Sequence, residues 1–225
     1  MAAVDADSDP FSLVMAMVFA AEIHCSRREA AKGEELARAL LAICAARGYP
    51  FWQSVGRRML GWALGQQGQV REAIELMEQE MQPSTGSQDQ MIHIWLLLSL
   101  ADAYEMLGEA QLALSLLDQW RAVRDKLELG MRDSFYYRLR ARLFRQSGAD
   151  DDAEKSFRKA IEAALVRNAR SEVLRSTLPL ARLLAKRGRR DEARRMLAEI
   201  YGWFTEGFDT ADLKDAKALL DQLNA

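Results

Sequence analysis

The sequence predicts an all-α fold: a right-handed α-α superhelix of about five forty-residue helix–turn–helix repeats, closed by a C-terminal capping helix. Three observations lead there. Gly68, Gly108, Gly148 and Gly188 stand forty residues apart. Five residues after each comes an alanine (Ala73, Ala113, Ala153, Ala193), and seven before each a small residue (Gly61, Ala101, Ala141, Ala181). With 49% hydrophobic residues but only 13 Gly and 4 Pro in 225, the chain has the apolar content of a folded protein and too few turn-formers for many short strands.

Each landmark has a packing role. Glycine adopts the left-handed conformation that ends a first helix and lets the chain reverse. The small residues let two antiparallel helices approach closely, and Leu64, Tyr104, Phe144 and Leu184, three positions on, fill the space beside that contact. Met77, Leu117, Phe157 and Leu197 do the same on the second helices. A weaker copy comes first, with Ala21, His24 and Ala37 in register, Arg28 at the turn and Gly33 in the alanine position. A linker or disordered stretch over 1–9 thus precedes a single domain over 10–225. Its repeats cover about 10–48, 50–82, 88–128, 131–168 and 170–206, with a cap over 209–223.

Punctuation agrees with this division. Gly48-Tyr49-Pro50 reads as a stop followed by a start, and Pro83-Ser84-Thr85-Gly86-Ser87 as a loop. Pro179 is expected to kink the helix that contains it. Gly207 is expected to end a helix and Asp209 to cap the next, on which Leu213, Ala216, Leu219, Leu220 and Leu223 form one apolar stripe. Residues 1–9 offer no comparable cap, which favours a piece of a longer array.

The pattern resembles the tetratricopeptide repeat, most closely at Leu60-Gly61 and Tyr104. It departs in having a period of forty in place of about 34, and Arg57, Leu97, Tyr137 and Thr177 where tryptophan is favoured. HEAT-type arrays share the longer period, but the glycine–alanine landmarks speak against them. The segment from Glu199-Ile200-Tyr201-Gly202-Trp203-Phe204 to Leu219-Leu220 is more specific. With Pro10-Phe11-Ser12-Leu13, Gly48-Tyr49-Pro50-Phe51-Trp52 and Gly61-Trp62-Ala63-Leu64-Gly65-Gln66-Gln67-Gly68, it resembles the C-terminal tail of large bacterial signalling proteins. These join a class III adenylate/guanylate cyclase or a DNA-binding domain to a signal-transduction ATPase and a tail of the maltose-regulon-activator type. The resemblance implies a regulatory module that senses a ligand or partner and is not itself catalytic. A stand-alone adaptor is the alternative.

Catalytic signatures are missing from the sequence. There is no GxxxxGK[ST] to cradle phosphate and no HExxH; His24 and His93 fall in different repeats, so neither a metal nor a cofactor is expected. Adjacent His24 and Cys25 diverge by about 100° on a helix and cannot form a nucleophile pair. Cys25 and Cys44 read as free thiols, and Asp150-Asp151-Asp152 as a helix start favoured by the dipole. The longest early apolar stretch, Phe11 to Ala21, is too short to span a membrane and follows acidic residues, which points to the cytoplasm.

Charge gives the functional lead. Residues 1–120 carry 8 Lys and Arg against 16 Asp and Glu, whereas residues 121–225 carry 23 against 17. In the family register, the first helix of each repeat lines a groove that accepts a protein or peptide. The residues expected there are Arg58, Trp62, Trp95, Asp102, Glu105, Arg138, Arg142, Arg145, Arg175, Arg182 and Lys186. Arginines so aligned can hold the carboxylates of an acidic segment, and the tryptophans an apolar one. The competing reading is that the arginines pair with neighbouring carboxylates and the tryptophans pack between repeats. Nucleic acid is disfavoured: Lys186-Arg187-Gly188-Arg189-Arg190 is short and flanked by Asp191 and Glu192.

Overall fold

The computed structural model describes residues 9–81, 87–127 and 132–224; the side chains of 87–89 are not described. Of the linker expected over 1–9, residues 1–8 lie outside the described residues and Asp9 caps α1, accepting from Ser12 N; of the loop expected over Pro83–Ser87, residues 83–86 lie outside them and Ser87 begins α5. Eleven helices and no strand occur among those described: α1 (Pro10–Ser26), α2 (Ala30–Arg47), α3 (Pro50–Gln66), α4 (Val70–Glu78), α5 (Ser87–Leu107), α6 (Ala110–Leu127), α7 (Asp133–Gln146), α8 (Asp150–Val166), α9 (Arg170–Lys186), α10 (Arg190–Tyr201) and α11 (Ala211–Asn224). The fold class is the expected all-α array of helix–turn–helix repeats. The chain divides into two compact units, Met1–Val123 and Arg124–Ala225.

In the first unit, α3 packs against α2 before it and α4 after it, while α1, α3 and α5 touch along the layer of first helices. Its core gathers Val14, Leu40, Met59, Leu64, Met77 and Leu96. In the second unit α9 is held in the same way by α8 and α10, and the layer of first helices is α7, α9 and α11. Phe157, Leu174, Leu180, Leu184 and Leu197 form that core.

The sequence landmarks explain how close the helices come. Ala101, Ala141, Ala181, Ala73, Ala113, Ala153 and Ala193 are all fully buried. At Gly61 a Cβ would lie 2.7 Å from Met77 Cγ and 3.3 Å from the Ala73 carbonyl oxygen, so only glycine fits without displacing α4. Gly148 has φ +78°, and the next amide, at Ala149, donates back to Phe144 O over 2.8 Å to close α7. Replacing Gly148 with alanine is expected to cost about 1 kcal/mol, read as a shift in the midpoint of chemical unfolding. In the weaker first copy Arg28 takes the same conformation, with φ +62°.

Helix α9 runs from Arg170 to Lys186 with Pro179 inside it, half-buried. One local expectation needs correction. Helix α10 stops at Tyr201, well before Gly207, because Trp203 and Phe204 turn inward to pack on the second core. Gly207, at φ +74°, instead shapes the turn into α11, where Thr210 occupies the cap position in place of Asp209: its carbonyl accepts the first helical bond from Lys214.

Helix α11 fills a first-helix slot against α9 and α10, burying Leu213, Ala216, Leu219, Leu220 and Leu223. Forty residues after Thr177 and Ala181, which are buried in α9, it carries exposed Lys217 and Asp221, bonded to each other at 2.6 Å. Arg190 donates to Leu223 O (3.1 Å) and Gln222 O, satisfying carbonyls at the C-terminus of α11.

Candidate functional site

The expected binding residues lie on the layers of first helices, and each unit has its own set. In the first unit Arg58, in the middle of α3, is buried. Its Nη2 donates to Glu22 Oε2 of α1 (3.1 Å), and its guanidinium lies 5.6 Å from the centre of the Trp95 ring on α5. A carboxylate and an aromatic face from two neighbouring first helices therefore hold one cation. Trp62 is half-buried and leans over α2, with Cζ3 3.6 Å from where a Gly33 Cβ would stand. An alanine there, as in the other copies, would make ordinary contact with the indole. Asp102 and Glu105 are buried on α5.

In the second unit Arg138 occupies the register position of Arg58, eighty residues on, and is treated alike. It sits 5.3 Å from the centre of the Phe135 ring and donates through Nη1 to Glu172 Oε2 (2.6 Å) and Ser176 Oγ (3.4 Å) of α9. Glu172 also accepts from Arg175 (3.0 Å), and Arg175 Nε donates to Asp212 Oδ2 of α11 (2.7 Å). The ladder Arg138–Glu172–Arg175–Asp212 alternates in sign across three first helices. Burial pushes the Glu172 carboxyl pKa up, but Arg138 and Arg175 outweigh it and hold the group below its ordinary value.

The remaining expected residues differ in exposure. Arg142 is half-buried, whereas Arg145, Arg182 and Lys186 are exposed. Arg142 and Arg182 occupy equivalent positions on α7 and α9, helices that touch. Glu172 and Asp212 were not among the residues expected at the site. The spacing of Glu172 to Arg175 was visible as a helical i, i+3 pair, but nothing local tied either residue to Arg138 or Asp212.

The basic turn of the fifth repeat is largely engaged within the protein. Arg187 pairs with Asp151 (2.6 Å) and Glu154, and Arg189 with Glu154 (2.7 Å) and Glu192 (2.8 Å). Arg190 is spent on α11. These contacts use the charge that a nucleic-acid backbone would need. The acidic start of α8 is explained equally locally, Asp151 by Arg187 and Asp152 by Lys155. His24 is half-buried, and its Nδ1 bonds Glu29 at the α1–α2 turn, where Arg27 Nε also donates to Glu29 (2.6 Å). Neither Cys25 nor Cys44 is in a disulfide, and no cluster of metal-binding side chains occurs among the described residues. Among those residues, too, no helix is long and apolar enough to cross a membrane.

Comparison with known proteins bears on the fold. Residues 54–79 and 174–199, which cover most of α3–α4 and of α9–α10, match the tetratricopeptide repeat model. The fold is similar to that of BtubC (BKLC) from P. vanneervenii, at 18% identity and a TM-score of 0.59, covering 91% of this chain and 90% of that one. It is also similar to the nearly identical TPR-like repeats of a Podosopora anserina putative kinesin light chain (Q17M), at 22% identity and a TM-score of 0.51, over 87% and 96% of the two chains. A third likeness is to a Rap protein complexed with competence and sporulation factor, at 12% identity and a TM-score of 0.57, covering 96% of this chain but 65% of that one. At these identities the likeness is one of fold. No curated protein matches the chain in sequence. Two helix pairs thus match the tetratricopeptide repeat, and the fold of the described residues is that of a TPR-like helical array.

Proposed function

We propose that the chain is a non-catalytic interaction module whose first-helix faces bind a partner polypeptide. The face of the second unit takes its acidic portion, and the face of the first unit an apolar one. The observation that carries this reading is the contrast within α7 and α9. Arg138 and Arg175 are locked into a ladder that rigidifies the surface, whereas Arg145, Arg182 and Lys186 project into solvent, where they can meet carboxylates. Trp62 and Trp95, half-buried on α3 and α5, supply aromatic surface that is already ordered. The fold neighbour complexed with competence and sporulation factor supports the capacity of such an array to hold a bound factor. The resemblance of residues 199–220 to tails of cyclase- and regulator-linked signalling proteins makes such a protein the proposed setting, in the cytoplasm, with a stand-alone adaptor as the second reading.

The test uses fluorescent synthetic peptides joining an Asp/Glu run to a Leu/Phe run, with neutral and basic controls. The acidic peptide is expected to bind at physiological salt, and Arg145→Glu combined with Arg182→Glu and Lys186→Glu to weaken it at least about tenfold. All three side chains are exposed, so the fold survives the change. Equal binding by wild type and variant, or preference for the basic control, would overturn the assignment.

A further inference from the structure

The two units finish their helix–turn–helix edges differently. In the second unit the turn from α9 to α10 is closed by ion pairs with α8. There Glu192 is held between two guanidinium groups, Arg158 at 3.0 Å and Arg189 at 2.8 Å. Eighty residues earlier, at the turn from α5 to α6, the same register positions carry the reverse chemistry. Leu112 stands in place of Glu192, Glu78 in place of Arg158 and Glu109 in place of Arg189. An anion between two cations has become an apolar side chain between two anions.

Leu112 is 48% exposed, and Met106, in the last turn of α5, is 39% exposed. At the register position of Met106 the other repeats carry Ser26, Gln66, Gln146 and Lys186. At that of Leu112 they carry Lys32, Glu72, Asp152 and Glu192. Apolar side chains therefore face water at this turn where every other copy is polar. The two carboxylates gather on the same side. Tyr104 donates its hydroxyl hydrogen to Glu78, and burial, that bond and the charges of Glu78 and Glu109 push the phenol pKa up to about 12. The surrounding sequence does not balance them: Val70 to Trp120 holds nine Asp and Glu against one Arg, Arg71, and no Lys.

We propose that the α5–α6 turn of the first unit docks a basic amphipathic helix of a partner protein, with apolar side chains on Met106 and Leu112 and cations on Glu78 and Glu109. Charge selects this occupant. The second unit places its own guanidinium groups where the first leaves two anions, and a partner's Arg or Lys supplies the same pairing from outside. A nucleic acid or an anionic bilayer would bring like charge to those carboxylates. The docking edge is distinct from the first-helix faces and uses none of their cations.

Fluorescence anisotropy tests the assignment with a labelled helical peptide carrying Arg at i and i+7 and Leu at i+3 and i+4, which puts all four on one face. Wild type is expected to bind it at least about tenfold more tightly than a scrambled peptide of the same composition, and less tightly as salt is added. Leu112→Lys and Glu109→Arg introduce side chains that Lys32 and Arg189 already place in this register, so the fold accepts them. Each should weaken binding about tenfold, and Leu112→Ala, which changes no charge, about fivefold. No binding, or equal binding of patterned and scrambled peptides, would overturn the proposal. So would full affinity in the Glu109→Arg protein, or in the Leu112→Ala protein, where general attraction to an acidic surface would then account for the binding. These variants leave Arg145, Arg182 and Lys186 untouched and the probe is cationic, so failure here and failure of the acidic-peptide assignment are read separately.

Discussion

Replacing Phe157 with alanine is expected to destabilise the second unit by about 3–5 kcal/mol. The ring is completely buried in the core that α8 shares with α9 and α10. It stands four residues after the fully buried Ala153, in the register of Met77, Leu117 and Leu197, which are each at most 1% exposed. Deleting the ring removes its transfer free energy from water and leaves a cavity that closely packed helices cannot collapse to fill. Chemical denaturation followed by circular dichroism measures the loss. Phe157→Leu, which keeps most of the volume, should recover more than half of it. A loss below about 1 kcal/mol for the alanine variant would show that α8 does not pack as described.

The second large effect concerns Glu172. Its carboxylate lies between Arg138 and Arg175, and the isosteric Glu172→Gln keeps the shape while leaving two arginines without their shared anion. Arg138 is buried, so the change is expected to cost about 2–4 kcal/mol, near the range for breaking a buried pair from one side. The direction of the pKa shift adds a pH signature. Because the folded-state pKa lies below the ordinary 4.5, the stabilisation is fully present above that value and is lost as pH falls through the folded pKa. Unfolding free energy measured between about pH 7 and pH 3 should fall more steeply for wild type than for Glu172→Gln, the two curves converging at the acid end. Parallel curves would remove Glu172 from any role in acid sensitivity.

The two buried arginines also clarify the charge division visible in the composition. Arg58 and Arg138 share a register position and a mode of fixation, an aromatic face and a carboxylate, although one lies in the acidic part of the chain and the other in the basic part. Such pairs set the spacing and orientation of the first helices, because a buried guanidinium tolerates little misplacement of its partners. The exposed cations of α7 and α9 are a separate population on the same layer. Their side chains face solvent.

The forty-residue glycine and alanine rhythm determined by itself that the protein is a helix–turn–helix array, and where its turns fall. Those constraints are local: a left-handed turn favours glycine, although Arg28 also adopts it, and a close helix contact needs small side chains, here five residues after and seven before the glycine. The stripe from Leu213 to Leu223 likewise announced the capping helix, since one helical face suffices to show it. What the sequence left open was decided by contacts across repeats. Whether Arg138 binds a ligand or Glu172, whether Arg187 and Arg189 form a basic patch or a closed network with Glu154, and where α10 stops before Gly207 depend on groups some 5 to 35 residues away in the chain. The exposure of Phe19 belongs with them. Its helix is apolar on nearly every side, so only packing among the described residues shows which side is exposed.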